Sequence, residues 1–158
     1  MNTVLKVVAL VAVGVALKTY LHKGGRDLKQ ENLLPITATF VRGENPAEDQ
    51  PLLMEFWATW CPPCRESIPH LNSIYEKYHP KGLSVVGISN EDAATVQAFM
   101  RQVPMKYPVA LDLLRRYSGA LNINSIPHAF LVNRAGKVVW DGHPMSLTEA
   151  EIEKVLGP

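Results

Sequence analysis

Apolar and polar positions along the chain predict short strands and amphipathic helices in turn. Short, largely apolar runs predict four strands, at residues 36–41, 52–57, 83–89 and 108–111. Apolar side chains at helical spacing predict the intervening helices, at residues 62–78, 92–102 and 112–119. A hairpin over 129–132 and 137–140 follows, and a capping box between Ser146 and Glu149 opens a last helix that stops at Gly157. This order predicts an α/β fold in which a central mixed sheet is flanked by helices.

The first 21 residues form a separate apolar segment, which we interpret as a membrane anchor. Residues 7–17 are uncharged, and Lys6 and Lys18 flank them. Eleven helical residues cover only ~17 Å of a ~30 Å hydrocarbon core, although lysines that extend toward the interface lengthen the span. The alternatives are a signal peptide cleaved near residues 12–14 and a buried helix. Residues 22–33 are predicted to be a polar tether, and residues 34–158 the globular domain.

Composition and charge limit the classes of function. The chain has 158 residues, of which 47% are hydrophobic and 20% charged, and this fits one globular domain with a short extension. A net charge of +1 gives no overall field that favours nucleic acid, so no nucleic-acid partner is predicted. Two cysteines are too few for a disulfide scaffold. The five histidines are scattered without ligand spacing, and neither a metal nor another cofactor is predicted.

Both cysteines lie in one four-residue window, Cys61-Pro62-Pro63-Cys64. At the start of a helix, cysteines three apart lie on the same face, so their sulfurs can join and separate reversibly. Backbone N–H groups and the helix dipole at that end favour the Cys61 thiolate. Cys61 is therefore the candidate nucleophile and Cys64 the resolving cysteine. The two prolines lack N–H donors, so we expect a thiolate that is only moderately favoured.

Three marks together resemble the thioredoxin superfamily, and within it the membrane-tethered TlpA-like thiol–disulfide reductases. The marks are the run Trp60–Cys64, the proline at position 69, and Ile126-Pro127 ahead of the hairpin. The resemblance covers residues 34–158. It implies a thioredoxin-like fold with a TlpA-type inserted helix and strand, at residues 91–111.

The resemblance also implies where a substrate binds. In the family the proline matching Pro127 is cis and lies beside the cysteines, and the residue before it presents backbone groups to a substrate strand. The residues expected to contact substrate are Trp60, Pro62, Pro63, Ile126 and Pro127.

Glu55 is the candidate proton partner of Cys64. It lies six residues before Cys61 inside an apolar strand, and thioredoxins hold a buried acid at the matching place. Burial should raise the pKa of this carboxyl, which could then serve Cys64 as general base. The alternative is a glutamate that is exposed at the sheet edge or paired in a salt bridge.

The chain departs from the TlpA-like pattern at several places. Those proteins often have an uncharged residue where Glu55 stands, and the segment before Leu52 is shorter here than their usual amino-terminal hairpin. Ser67 stands where many of these proteins carry an acid, six residues after the first cysteine. His128 stands where the cytochrome c maturation branch usually has glutamate, directly after Pro127. We interpret His128 as a hydrogen-bonded structural residue, with tuning of the thiols as the alternative.

The dithiol and the resemblance together predict a membrane-anchored protein-disulfide reductase. Protein disulfides are the expected substrates, and an upstream thiol protein or membrane carrier is the expected electron donor. Net disulfide oxidation or isomerisation stays open, because the residues between the cysteines do not fix the potential. A thioredoxin-fold module that binds and delivers copper through Cys61, Cys64 and a nearby histidine is a second alternative.

The predicted location is extracytoplasmic, in the periplasm, as is typical of an anchor joined to a dithiol domain. The charges around the anchor oppose this orientation. More basic residues follow the segment than precede it, at Lys18, Lys23, Arg26 and Lys29. The positive-inside rule would place the domain in the cytoplasm, and secretion after cleavage is the third possibility.

Overall fold

A six-stranded mixed sheet organises the fold. The computed structural model describes residues 25–157. The strands are β1 (Thr39–Arg42), β2 (Leu52–Phe56), β3 (Ser84–Ser89), β4 (Val109–Leu111), β5 (His128–Val132) and β6 (Val138–Gly142). Their spatial order is β1-β4-β3-β2-β5-β6. β2, β3 and β4 run parallel, while β1, β5 and β6 pair with their neighbours in the antiparallel sense.

Within residues 25–157, four helices flank this sheet. They are α1 (Pro62–Tyr78), α2 (Ala93–Met100), α3 (Arg116–Ala120) and α4 (Glu149–Leu156). Short 3₁₀ turns follow α1 and precede α4, at His79–Lys81 and Pro144–Ser146. The predicted thioredoxin-like α/β fold is confirmed, and α2 and β4 are the helix and strand expected in the inserted segment.

Each face of the sheet has its own hydrophobic core. Leu53 of β2 packs with the buried side of α1, including Ile68 and Leu71. Met54 belongs to the core on the opposite face. Because successive strand residues point to opposite faces, Glu55 lies on the same side as Leu53 and faces α1.

Residues 25–33 belong to the folded domain, whereas the sequence predicts a polar tether over 22–33. Leu28 and Leu33 are buried in the core on the face opposite α1. The Leu28 N–H donates to the Gly136 carbonyl at 2.8 Å, and the Val138 N–H donates to the Arg26 carbonyl at 2.8 Å. The sequence pattern does not indicate this burial, because only polar and charged residues lie between the two leucines.

Two predicted boundaries shift because of local hydrogen bonding. α3 begins at Arg116 instead of residue 112, since the Asp112 carboxylate accepts the N–H groups of Tyr117 and Ser118 at 3.2 and 2.8 Å. The capping box predicted between Ser146 and Glu149 is wrong. It is formed by Thr148 and Glu151, each side chain accepting the other's backbone N–H.

The predicted first strand also starts late, at Thr39 instead of residue 36. Ile36 is buried in the core on the face opposite α1 and follows a cis Leu34–Pro35 bond. The apolar character of residue 36 therefore reflects packing outside the sheet ladder.

Within residues 25–157, no helix has the length and apolar character needed to cross a membrane. The predicted anchor at residues 1–21 lies outside the described residues.

Candidate active site

The cysteine pair lies where the chain leaves β2 and enters α1. Cys61 is the N-cap residue of α1, and its sulfur accepts the Cys64 N–H at 3.3 Å. Pro62 and Pro63 fill the first two helical positions, where a backbone N–H would have no partner inside the helix. Cys61 and Cys64 form a disulfide whose Cα atoms are 5.3 Å apart. Both are buried, and Cys64 is the more deeply placed of the two.

The loop before β5 lies against this disulfide. The Ile126–Pro127 bond is cis, as the resemblance implies. The carbonyl oxygen of Ile126 is 3.7 Å from the Cys61 sulfur. The structure therefore brings together the N-terminus of α1 and the proline loop, which lie 65 residues apart in the chain.

A groove opens beside the cysteines. It has a volume of about 200 Å³, and its lining includes Trp60, Asn90, Arg115, Ser118 and Ile126. Trp60 is 66% exposed, so its indole forms a free rim next to Cys61. Leu113 and Leu114, which precede Arg115, are also exposed. An extended segment that carries a disulfide could lie on this surface with its sulfur against Cys61.

Glu55 is completely buried beneath α1. Its Oε1 accepts the Ser67 hydroxyl at 3.1 Å, and its Oε2 lies 3.5 Å from the Tyr107 hydroxyl. Burial raises the pKa of this carboxyl to about 8, and the bonds from Ser67 and Tyr107 oppose that rise. The alternative of an edge-exposed or salt-bridged glutamate is therefore wrong.

Ser67 connects Glu55 to the backbone of Cys64. Its hydroxyl lies 2.8 Å from the Cys64 carbonyl oxygen as well as 3.1 Å from Glu55. Beneath the disulfide, Ser67 therefore contacts both the Glu55 carboxyl and the backbone carbonyl of Cys64. A serine at this position fits beside the acid, whereas a second carboxylate here would face Glu55 directly.

Glu91 is a site residue that the sequence interpretation missed. Its carboxylate accepts the Thr59 N–H at 2.7 Å, the Thr59 hydroxyl at 2.6 Å and the Ser89 hydroxyl at 3.1 Å. Arg65 of α1 donates its Nε to the Thr59 carbonyl at 2.7 Å. The one available signal was that Glu91 follows β3, whose carboxyl end lies at the same sheet edge as that of β2.

The side chain of His128 contacts two neighbouring side chains of the sheet. Its Nε2 lies 3.2 Å from Asp141 Oδ2, and its ring is 4.9 Å from the Phe130 ring centroid. These contacts favour the interpretation of His128 as a hydrogen-bonded structural residue. Across residues 25–157, no three His, Cys, Asp or Glu side chains gather closely enough to hold a metal ion.

The fold and the cysteine pair at the start of α1 define a thioredoxin-like protein. The sequence profile of the AhpC/TSA family matches residues 37–141, more than half of the chain. The chain therefore belongs to the AhpC/TSA family, and its resemblance to TlpA-like proteins is confirmed by relatives that carry the name thiol-disulfide oxidoreductase ResA.

Two of these relatives differ in how much of the chain they match. The protein named ResA from Bacillus cereus (strain ZK / E33L) is 35% identical over 89 residues, which cover 56% of this chain and 51% of the relative. Over this match, the chain spans about half the length of its Bacillus relative. The protein of the same name from Geobacillus kaustophilus (strain HTA426) is 25% identical, with 99% of this chain and 92% of the relative covered.

Solved structures share the fold along most of the chain. A thiol:disulfide interchange protein of the thioredoxin family from Chlorobium tepidum TLS is 27% identical with a TM-score of 0.60, and the match covers 78% of this chain and 96% of that one. Another Chlorobium tepidum protein reaches a TM-score of 0.70 at 25% identity, covering 85% of this chain and 98% of the other. StoA from Bacillus subtilis is 25% identical with a TM-score of 0.61, and the match covers 67% of this chain and 84% of StoA.

Proposed function

We propose that this protein is a thiol–disulfide oxidoreductase that reduces protein disulfides through Cys61 and Cys64. The observation that carries the proposal is the position of the pair. Cys61 caps the N-terminus of α1, and its sulfur lies 3.7 Å from the carbonyl of Ile126 in the cis-proline loop. The N-terminus of a helix favours a thiolate, and the adjacent loop offers backbone groups to an incoming strand.

The first step joins the protein to its substrate. In the reduced protein the Cys61 thiolate attacks one sulfur of a substrate disulfide, and a bond forms between Cys61 and that sulfur. The substrate S–S bond breaks, and the other substrate sulfur leaves as a thiolate that takes a proton from solvent. The substrate lies across Trp60 and Ile126, with Pro62, Pro63 and Pro127 bounding the reacting sulfur.

The second step releases the substrate. Cys64 gives its proton to the Glu55 carboxylate, and the resulting thiolate attacks the Cys61 sulfur. The mixed disulfide breaks, the second substrate sulfur leaves, and the Cys61–Cys64 disulfide forms. Two electrons have then passed from the dithiol to the substrate, and a thiol donor must return them before the next cycle. No bound cofactor is needed, because the cysteines hold both electrons.

The environment of Glu55 supports its role as the proton partner. Its pKa of about 8 keeps both protonation states accessible near neutral pH, which a group that accepts and returns a proton needs. The Ser67 hydroxyl lies 3.1 Å from Glu55 and 2.8 Å from the backbone carbonyl of Cys64, so the carboxyl lies beneath the turn of α1 that carries Cys64.

The location of the protein is part of the same proposal. Residues 1–21 tether the domain to a membrane, with the dithiol on the extracytoplasmic side. The apolar run at residues 7–17 supports the tether, and relatives named thiol-disulfide oxidoreductases support a compartment in which disulfides occur. Protease treatment of cells whose outer membrane is permeabilised and whose cytoplasmic membrane is intact tests the orientation. We expect the domain to be degraded under this condition, and resistance to the protease would contradict the extracytoplasmic orientation.

Reduction of insulin disulfides by the purified domain tests the activity. We expect turnover with a dithiol donor in the wild type and its loss in Cys61→Ser. In Cys64→Ala, a mixed disulfide should accumulate instead, because the resolving step is blocked. Tight Cu(I) binding without insulin reduction would contradict the proposal and favour the copper-binding module.

A further inference from the structure

We propose that Tyr107 is a positioning residue that sets the protonation equilibrium of Glu55. Its phenol hydroxyl donates to the Glu55 carboxylate and so stabilises the form of the acid that can accept a proton. The inference rests on the proposed function of Glu55 as the proton partner of Cys64.

The two oxygens of Glu55 each face a different hydroxyl. Tyr107 reaches Oε2 at 3.5 Å, while Ser67 reaches Oε1 at 3.1 Å. Tyr107, like Glu55, has no exposed surface. A contact between two groups that water cannot reach is not weakened by solvent competition, so even a long hydrogen bond changes the balance between charged and neutral forms.

Tyr107 differs from Ser67 in having Glu55 as its one hydrogen-bond partner within residues 25–157. The Ser67 hydroxyl carries one proton and lies 2.8 Å from the Cys64 carbonyl as well as near Glu55. When the hydroxyl donates that proton to the Cys64 carbonyl, Ser67 no longer donates a hydrogen bond to the Glu55 carboxylate. The Tyr107 hydroxyl has no such competing acceptor in the described structure, so it is the dedicated donor.

The rest of the surroundings of Glu55 offers little to stabilise a charge. The residues paired with it on the neighbouring strands are Gly87 of β3 and Ala129 of β5, which carry no polar side-chain atom. From α1, the Ser67 hydroxyl faces the carboxyl. Cys64, on the same helix, adds an ionisable thiol to this side of the sheet when the disulfide is reduced. No basic side chain hydrogen-bonds to Glu55 among the residues described.

The direction of the hydrogen bond is fixed by the protonation of the phenol. Burial, followed by the nearby Glu55 carboxylate, holds the pKa of Tyr107 well above its ordinary value. The phenol therefore keeps its proton throughout the range in which Glu55 titrates. Since Tyr107 donates to the ionised carboxylate, its bond lowers the pKa of Glu55 against the larger effect of burial.

The chain makes room for this contact at Gly87. A Cβ atom on Gly87 would lie 3.1 Å from the Tyr107 ring and 3.0 Å from Trp57 Nε1. Tyr107 also borders a cavity of about 630 Å³, together with Tyr75, His79 and Lys106, without exposing any surface of its own. Because the Tyr107 ring packs against Gly87, phenylalanine would keep the ring in place while removing only the hydroxyl.

Titration of the Glu55 side-chain carbon by ¹³C NMR in the oxidised protein tests the inference directly. In Tyr107→Phe we expect the midpoint to rise by roughly half a pH unit to one pH unit, the size expected for losing one hydrogen bond of ~1 kcal/mol. Tyr75→Phe is the matched control, because Tyr75 lines the same cavity without touching Glu55. An unchanged midpoint in Tyr107→Phe, or an equal rise in Tyr75→Phe, would overturn the proposal.

Two further measurements separate this inference from the proposed function. In the wild type, the Tyr107 Cζ resonance should follow the Glu55 midpoint, which requires no substitution. Tyr107→Phe should shift the pH profile of disulfide exchange upward in the wild-type background and leave it unchanged in Glu55→Gln. A moved NMR midpoint with an exchange profile that neither variant alters would support the Tyr107 contact and overturn the proton role of Glu55.

Discussion

Glu91 holds Thr59 at two points, with Oε2 accepting its backbone N–H at 2.7 Å and Oε1 accepting its hydroxyl at 2.6 Å. Thr59 lies two residues before Cys61 in the loop between β2 and α1. Arg65 fastens the same loop from α1 by donating to the Thr59 carbonyl. The acid that follows β3 therefore fixes the segment that leads into Cys61.

Replacing Glu91 should loosen this loop. In Glu91→Ala we expect the free energy of unfolding to fall by about 1.5–3 kcal/mol, because hydrogen bonds to a charged group are lost and the Thr59 donors are left unpaired. Urea unfolding of the oxidised protein measures the change. Glu48→Ala is the control, since Glu48 is exposed and should change stability by less than about 0.5 kcal/mol. Equal effects of the two substitutions would contradict the role of Glu91.

Removing the Leu28 side chain should destabilise the domain. Leu28 is fully buried in the core opposite α1, so Leu28→Ala should lower the free energy of unfolding by about 2–4 kcal/mol. Leu114 is 93% exposed and gives a matched control, because Leu114→Ala removes the same atoms from a surface position. Similar stabilities of the two variants would show that residues 25–33 act as a tether, as the sequence predicts.

The pH dependence of stability should report the buried carboxyl of Glu55. Its native pKa of about 8 lies above the ordinary value of 4.5, so the native state holds a proton that the unfolded state has released between these values. The wild type therefore loses stability as pH rises from 4.5 to about 8, and little further above that.

Glu55→Gln removes this ionisation. The variant should gain stability relative to the wild type by roughly 3–5 kcal/mol between about pH 5 and about pH 9. Denaturant unfolding of both proteins at the two pH values gives the difference. A constant difference across the range would mean that Glu55 ionises normally in the native protein.

Gly87 should tolerate no side chain. Because a Cβ atom there would lie 3.0 Å from Trp57 and 3.1 Å from Tyr107, Gly87→Ala should cost about 1–3 kcal/mol of unfolding free energy. Gly119→Ala is the control, since the space around a Cβ at Gly119 is open to 4 Å. Calorimetric melting temperatures compare the two, and a Gly87→Ala protein as stable as Gly119→Ala would contradict the close packing.

Local sequence patterns predict the elements and the position of the cysteine pair at the start of a helix, but not the contacts between distant residues. β2 and α1 follow from an apolar run and from helical spacing, and the position of Cys61 at a helix N-terminus follows from the proline pair after it. The hydroxyl of Tyr107 reaches Glu55 across 52 residues of chain. No periodicity encodes that approach, because it depends on how β4 is placed beside β3.

The errors at the ends of elements have the same origin. Leu28 and Leu33 are isolated among charged residues, so their burial depends on the surface offered by β5, β6 and α3. The helical pattern predicts a helix that begins at Asp112, whereas the Asp112 carboxylate lies ahead of α3 and accepts N–H groups from its first turn. In both cases the deciding partner comes from another part of the chain.

The equilibrium redox potential of the Cys61–Cys64 pair, measured against a glutathione series, tests the central claim most directly. A thiol–disulfide reductase must hold its electrons loosely enough to pass them to a substrate disulfide, so we predict a potential below about −220 mV. A potential near about −120 mV would contradict reduction as the net reaction, because the pair would then withdraw electrons from protein thiols.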